Sequence, residues 1–444
     1  MSVGLRVAIH LALVALLAGL GTLLPRTALA HAVLLRADPP SGRTLAAAPD
    51  SVRLLFSEPL DAKFSRVLVL DDSGKRVDGG DSRVEDMELL VSLSPGLPNG
   101  VYTVRWRSLS SIDLHPESGE YRLFVGVPAL ASDAVAQRSE TIAAAIFTRW
   151  WLHLAISVFA GALVAWKLVL APVLSAEPAL RQAALARAQW LSLLAGGLLL
   201  VGTLLGAVSQ AAQAAGVPLE AAFGEPLRDL LTRGRFASIW WPRLGLSVVA
   251  VGIVTWRGLD DPYSESAAVM APAILLTTSL GSHAAALPFA ALGVALDWLH
   301  ALAAAVWVGG LLTLAAVAPV LKTQPSLVRR VVRGFTRMAL VAVIALVLSG
   351  VPQAVIEVGS WQALLRTPYG HAILTKVILL AAMLALALRN QRRANRAHAA
   401  LDRGLRLEIA CGIVALAVAA LVAGTTPPRQ ISAAGALATV AGPP

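Results

Sequence analysis

The chain has 444 residues, 57% of them hydrophobic and only 14% charged, with a mean hydropathy of +0.69. Soluble domains carry roughly 25% charge, so a wholly soluble protein is excluded and a polytopic membrane protein with a soluble part is indicated. The formal net charge of +10 fits loop arginines on the cytoplasmic side and argues against nucleic acid as a partner. One cysteine, Cys411, excludes an internal disulfide and a thiolate metal cluster.

Residues 1–30 have the pattern of a secretory signal peptide: Arg6, an apolar run from Val7 to Leu24, Pro25, then Ala28-Leu29-Ala30. The run is near the ~18 residues that a spanning helix needs, so an uncleaved anchor is the other reading. Cleavage after Ala30 would make His31 the first residue. A free α-amine and an imidazole on one residue can chelate a metal from two sides.

Residues 31–127 read as a small all-β domain. Val52–Phe56, Arg66–Leu70, Leu89–Leu93, Val101–Trp106 and Glu120–Val125 are alternating or β-branched runs separated by turn residues. This spacing predicts an antiparallel sandwich or barrel. Residues 128–145 form an Ala/Ser-containing linker. From 146 to 424 come eight apolar segments, about 146–171, 188–213, 238–257, 266–285, 291–318, 335–356, 369–389 and 404–424, each matching the ~20 residues that cross a bilayer. With the β domain exported, fourteen lysines and arginines fall in inner loops and five arginines in outer ones, as the positive-inside rule requires. The Pro/Ala/Gly-rich tail, 425–444, reads as disordered.

Two groups of residues point to metal chemistry. The first is Ser111-Ile-Asp113-Leu-His115-Pro, read as a loop between two strands, with Pro116 stiffening its exit and Gly119 turning the chain. Asp113 and His115, two apart, can face one metal. Together with His31 they supply an amine, two imidazoles and a carboxylate, a nitrogen and oxygen set that suits Cu(II). The plainer alternative is that Asp113 caps a turn and His115 is a surface histidine. Five methionines in the whole chain make a methionine-rich Cu(I) site hard to assemble.

The second group lies at the outer level of the membrane segments: His153, His283, Asp297, His300 and His371. Ionisable residues inside a membrane are costly and mark function. Asp297, His300, Ala304 and Trp307 share one helical face. Each histidine taken alone could be merely interfacial; together they form a possible transmembrane metal site. Arg243 and Lys376 could snorkel, Glu408 could pair with an inner-loop arginine, and Trp150, Trp151, Trp240 and Trp241 read as an interfacial belt.

Residues 31–127 resemble the CopC family of periplasmic copper-binding proteins. The resemblance is carried by His31-Ala, Asp38-Pro-Pro-Ser-Gly42, Leu55-Phe-Ser-Glu-Pro-Leu60 and Trp106-Arg-x-Leu-Ser-Ser-x-Asp-x-His-Pro-x-Ser-Gly-x-Tyr121. It implies a cupredoxin/Ig-like β-sandwich with His31 as a histidine-brace ligand and Asp113 and His115 completing a Cu(II) site. Leu114 departs from the family, which often has glycine there. Residues 281–428 resemble the CopD family of copper-resistance membrane proteins through Gly281-Ser-His283-Ala, Asp297-Trp-Leu-His300, Trp307-Val-Gly-Gly-Leu311, Arg333-Gly-Phe-Thr336, Ser349-Gly350, Thr367-Pro-Tyr-Gly-His-x-Ile-Leu-Thr-Lys376, Asn390-Gln-Arg392 and Leu407-Glu408.

The expectation is a mixed fold: an all-β sandwich followed by an all-α polytopic bundle of about eight helices. Its expected place is the bacterial inner membrane, with the sandwich on the periplasmic or extracellular side. Copper ions and membrane lipid are the expected partners, and oligomeric state is not legible. The expected role is copper homeostasis or resistance: Cu(II) is captured outside and passed to the transmembrane domain, uptake being favoured and no enzyme activity implied. Export or sequestration for tolerance is the alternative. A haem-binding electron carrier using His300 and His371 as axial ligands is a further one, and an oxygen-activating copper enzyme is disfavoured because Asp113 would fill a position that oxygen chemistry needs open. N-terminal sequencing of the mature protein should begin His-Ala-Val-Leu; a chain that still starts at Met1 would remove the free amine from His31.

Overall fold

The computed structural model describes residues 32–112, 114–128, 136–137, 142–232, 234–286, 289–322, 324–395, 402–425 and 427–429. The expected signal segment, His31, Asp113, most of the expected linker and most of the expected disordered tail lie outside the described residues.

The N-terminal domain is a two-sheet sandwich. Its strands are β1 (Leu34–Asp38), β2 (Thr44–Leu45), β3 (Ser51–Phe56), β4 (Arg66–Asp71), β5 (Arg83–Glu85), β6 (Glu88–Ser92), β7 (Gly100–Leu109), β8 (Pro116–Val125) and β9 (Ala136–Gln137). One sheet runs β1-β3-β6-β5 and the other β2-β8-β7-β4, with β9 beside β8. Alternate residues of β3, β4, β6, β7 and β8 point into the space between them: Val52, Leu54 and Phe56 face Val67 and Val69, Leu89 and Val91, and Val104 and Trp106. These are the five strands that alternation predicts. β1 is half-exposed throughout and β2 and β5 are very short, so none of the three shows the pattern.

One local expectation is corrected. The segment from Pro116 to Gly119 is strand, not loop: β7 pairs with β8 as far as Leu109 opposite Pro116. Gly119 does not turn the chain. It sits opposite Trp106, where a Cβ would lie 2.6 Å from the indole ring. The missing side chain makes room for Trp106, which is buried.

The helices are α1 (Ile142–Ala165), continued through a π-helical turn (Trp166–Leu170) as far as Val173, α2 (Pro178–Ala215), α3 (Glu225–Thr232), α4 (Gly234–Arg257), α5 (Ser264–Ser279), α6 (Ala290–Leu321), α7 (Pro325–Val358), α8 (Trp361–Arg366), α9 (Pro368–Asn395) and α10 (Asp402–Val422). Among the described residues seven are long and apolar enough to cross a membrane: α1, α2, α4, α6, α7, α9 and α10. The eighth expected span is α5, whose 16 residues reach about 24 Å, short of a ~30 Å hydrocarbon core. It ends early because Thr278 to Ser282 close tight turns, with hydroxyls of Thr278 and Ser282 bonded to local carbonyls. A 3₁₀ turn, His283–Ala286, follows.

α1 is the hub, packed against α2, α5, α6 and α10. Its Gly161 meets Gly309 of α6 so closely that a Cβ on Gly161 would lie 2.4 Å from the Gly309 carbonyl carbon, and one on Gly309 would lie 1.8 Å from the Ser157 oxygen. Small residues allow this backbone contact. The tryptophans are not a simple belt. Trp240 is buried with its Nε1 donating to Thr203 O (3.1 Å), Trp150 and Trp151 donate to Ile413 O and Leu198 O, and of the four only Trp241 is exposed. Buried indoles find backbone acceptors when no water is near.

The sandwich sits on the end of the bundle where α2, α5 and α10 finish and α4 and α6 begin. Phe64 and Leu109 pack on Ala211 and Ala212 of α2 and Leu230 of α3. Arg107 of β7 donates from Nε to Phe64 O (3.2 Å) and from Nη1 to Ala215 O at the C-terminus of α2, where a cation complements the helix dipole. Burial pushes its guanidinium down to about 10, which leaves it charged at neutral pH. Lys63 pairs with Asp229 of α3 (3.2 Å).

Gly309→Ala should destabilise the protein by about 1–3 kcal/mol through overpacking, lowering Tm in detergent. Gly197→Ala, where a Cβ would meet nothing within 4 Å, should leave Tm unchanged or raise it.

Candidate functional site

The loop joining β7 to β8 is tied down on its sandwich side. Ser111 donates from its N (3.0 Å) and its Oγ (3.1 Å) to Pro59 O. Ser110 Oγ donates to Oε2 of Glu58 and accepts from Ile112 N (3.1 Å). Glu58 is fully buried, a second carboxylate beside the Asp113 loop that reading for Asp-x-His spacing did not single out. Its signal was an acid between apolar Phe56 and Leu60. Ala32 is also fully buried, and Ser108 Oγ donates to its carbonyl (3.4 Å). The start of the described chain is therefore fastened to the end of β7 from which the loop departs.

On its other side the loop touches the bundle. His115 is 7% exposed and His283 5%. Their rings lie 4.4 Å apart, centroid to centroid, tilted by 30°. Nε2 of His115 is 2.9 Å from Ala423 O, just past α10. A carbonyl only accepts, so Nε2 carries the proton there and a metal on this histidine would use Nδ1. The same Ala423 oxygen accepts from Arg149 Nη1 (3.2 Å), which joins sandwich, α1 and α10 at one atom. Leu114 O accepts from Gln210 Nε2 of α2 (2.5 Å).

Below this contact lies a cavity of about 580 Å³. It reaches from Leu114 and His115 down among α1, α4, α6, α7 and α9, and its wall includes His153, His283, Asp297 and His300. The whole predicted face of α6, Asp297, His300, Ala304 and Trp307, lines it. His371 does not: it is exposed, with Nε2 2.8 Å from Leu365 O. Four of the five expected membrane residues share the cavity, and the fifth sits outside it. Nothing in this arrangement supports a haem held between His300 and His371. Among the described residues no three His, Cys, Asp or Glu side chains are grouped closely enough to hold a metal ion together.

Hydrogen bonding defines the tautomers of two of these histidines. His153 Nδ1 is 2.7 Å from Arg149 O and so carries the proton. Ser349 Oγ donates to Ala345 O (2.6 Å) and therefore accepts from His300 Nδ1 (3.2 Å). Both rings keep an Nε2 lone pair, the form in which neutral imidazole binds metals. Gly350 lets His300 pack against α7, since a Cβ there would lie 2.9 Å from the ring.

Charge in the cavity is balanced by close partners. Asp297 Oδ2 is 3.3 Å from Ser282 Oγ. Glu357 accepts from Tyr369 OH (2.5 Å). Arg243 does not snorkel but turns inward, donating to Thr277 Oγ1 (2.8 Å) and Thr277 O (2.8 Å), and Lys376 also lines the wall. Glu357 escaped the sequence reading because it lies one residue past the end of the expected segment 335–356, and Tyr369, which opens the next, was not singled out. Glu408 is buried and accepts from Asn390 Nδ2 (3.0 Å); the expected arginine partner is replaced by an amide one helix away.

Comparison with known proteins places this geometry. The CopC domain family matches residues 34–126 and the family "Copper resistance protein D" matches 329–422. The second match begins after His283, Asp297 and His300, so it covers less than the resemblance read from 281 onward. Copper transport protein CutJ of Bacillus subtilis is 29% identical over 426 residues, spanning 92% of this chain and 76% of the relative. Copper resistance protein C of Escherichia coli is 33% identical over 112 residues, 22% of this chain and 84% of the relative. The crystal structure of CopC from Methylosinus trichosporium OB3b shares 34% identity, covering 21% of this chain and 93% of that one, with a TM-score of 0.19.

Thr277→Val removes one of the two acceptors of the inward-turned Arg243 and should cost about 1–3 kcal/mol, read as a fall in Tm. Thr255→Val, at an exposed hydroxyl bonded within its own helix, should cost less than about 0.5 kcal/mol.

Proposed function

This chain belongs to the copper-handling proteins in which a CopC domain precedes a CopD domain, and on that premise we propose that it captures Cu(II) on the sandwich and passes copper into the transmembrane cavity. The observation that carries the reading is the seating of His115 on His283 at the mouth of a cavity that also holds Asp297 and His300. Capture is by His31, Asp113 and His115. His31 precedes Ala32 by one peptide unit, about 3.8 Å between Cα atoms, and Ala32 is fastened beside the end of β7. That supports convergence of the chain start and the loop on one metal.

Nitrogen and oxygen donors suit Cu(II), the form an oxidising exterior supplies. His283, Asp297, His300 and His153 then form successive stations along the cavity wall. The fusion raises the effective concentration of donor at acceptor. Residence in the bacterial inner membrane with the sandwich outside, and movement inward, are part of this proposal. They rest on the arginine-rich loops lying at the helix ends opposite the sandwich and on capture preceding the membrane. The families concerned are copper-binding and transport proteins, and catalysis has no part in the proposal.

Copper is the cargo throughout. The chain's own residues bind it, keep neutral imidazoles in ligand-ready tautomers, and offset its charge with Asp297 and Glu357. His31→Ala and His115→Ala should each abolish or strongly weaken the Cu(II) EPR signal of the purified protein. His300→Ala should retain that signal and lose copper accumulation in cells. If His31→Ala binds Cu(II) like wild type, the capture site is wrong. If the strain lacking the protein keeps its growth under copper limitation and loses tolerance to excess, the direction is outward.

A further inference from the structure

Leu114 is a residue that neither the capture site nor the cavity uses as a ligand, yet among the described residues of the loop it has the most unusual backbone. Its φ is +64°, in the left-handed region that L side chains rarely adopt. Left to itself a leucine would leave that region, so something holds it there. Its side chain packs against a buried apolar cluster on the bundle, Ile239 of α4, Leu280, Ala285 and Val294 of α6, an apolar socket in which its Cδ1 lies against Gly281. Its carbonyl is held by Gln210 of α2. In the same loop His115 meets Ala423 O and His283; the contacts between sandwich and bundle at Arg107, Lys63 and Phe64 lie outside it. The socket is continuous with the cavity mouth, because Gly281 is two residues before His283.

We propose that Leu114 is a positioning residue: seated in this socket, it holds the capture loop against the bundle so that a cation leaving His115 meets His283 and not solvent. The proposal rests on the reading of the cavity as a copper route and adds what couples the two domains. The loop has two arrangements, seated and released. Seating is favoured by burial of an isobutyl group and opposed by the left-handed backbone; Leu114→Gly removes both terms. The left-handed conformation then costs little, but nothing enters the socket. Leu114→Met keeps an apolar side chain of similar volume and length.

The test uses the full chain in lipid nanodiscs, first without copper. Hydrogen exchange of the segment 110–116 should be about tenfold faster in Leu114→Gly and near wild type in Leu114→Met. A distance measured between spin labels on Ser73→Cys and Glu220→Cys, in a Cys411→Ser background, should not change, since the contacts outside the loop persist. With Cu(II) loaded, equilibrium affinity should stay within about twofold while an external chelator strips the metal about tenfold faster, and copper accumulation falls by a similar factor. Unchanged exchange overturns the seating. Faster exchange with unchanged stripping and accumulation overturns the positioning role. Loss of Cu(II) affinity in Leu114→Gly assigns the residue to the capture site itself and also overturns it. Wild-type protein that moves no copper, while exchange still responds to Leu114→Gly, removes the route but not the seating, which separates the two readings.

Discussion

A loop of a few residues is held from two sides, and the meeting of His115 with His283 depends on it. On the sandwich side Ser110 and Ser111 fasten it to Glu58 and Pro59. On the membrane side Leu114 enters an apolar socket, Gln210 holds its carbonyl, and His115 lies on His283 with its Nε2 on Ala423 O. Were the loop bonded to the sandwich alone, His115 would be an ordinary exposed ligand. Bonded to both, it becomes part of the cavity wall. The contacts at Arg107 and Lys63 orient the domain; the loop gives that orientation a chemical consequence.

The cavity shows how charged groups are kept inside an apolar bundle. Three of them have a hydrogen-bonding partner supplied by a neighbouring element: Arg243 by Thr277, Glu357 by Tyr369, Asp297 by Ser282. Leaving such a group without a partner in a low-dielectric interior costs far more than the same loss at a surface. On the proposed route, the carboxylates and imidazoles of this wall would give a passing cation successive neighbours of moderate strength. No point along the described wall groups three such ligands tightly, which is compatible with release as well as binding.

Much of this was legible in the sequence because it depends on periodicity. Alternation found the five central strands, and a 3.6-residue period found the face Asp297–His300–Ala304–Trp307 that the cavity uses. His31, Asp113 and His115 were singled out from a cleavage pattern and a spacing, and the membrane histidines from their depth. What escaped was set by tertiary partners. Gly119 looked like a turn because its role is to accommodate Trp106 from another strand. Trp240 looked interfacial because its acceptor, Thr203 O, lies on another helix. His371 sat at the right depth but on the wrong side of its helix for the cavity. The short α5 was read as a full span since apolar composition continues through residues that turn. Leu114 registered only as a departure from a pattern, because the socket that holds it is assembled from α4, the turns that follow α5, and α6.

The central claim is that copper bound by the sandwich enters the membrane domain of the same chain. The direct measurement uses isotopically enriched copper loaded on the protein in sealed proteoliposomes, with the sandwich facing out, followed by an external chelator and a count of the copper retained inside. The account predicts retained copper in wild type and little in His283→Ala or His300→Ala, with the Cu(II) capture signal intact in both. Full recovery of the copper by the external chelator from wild type would contradict it.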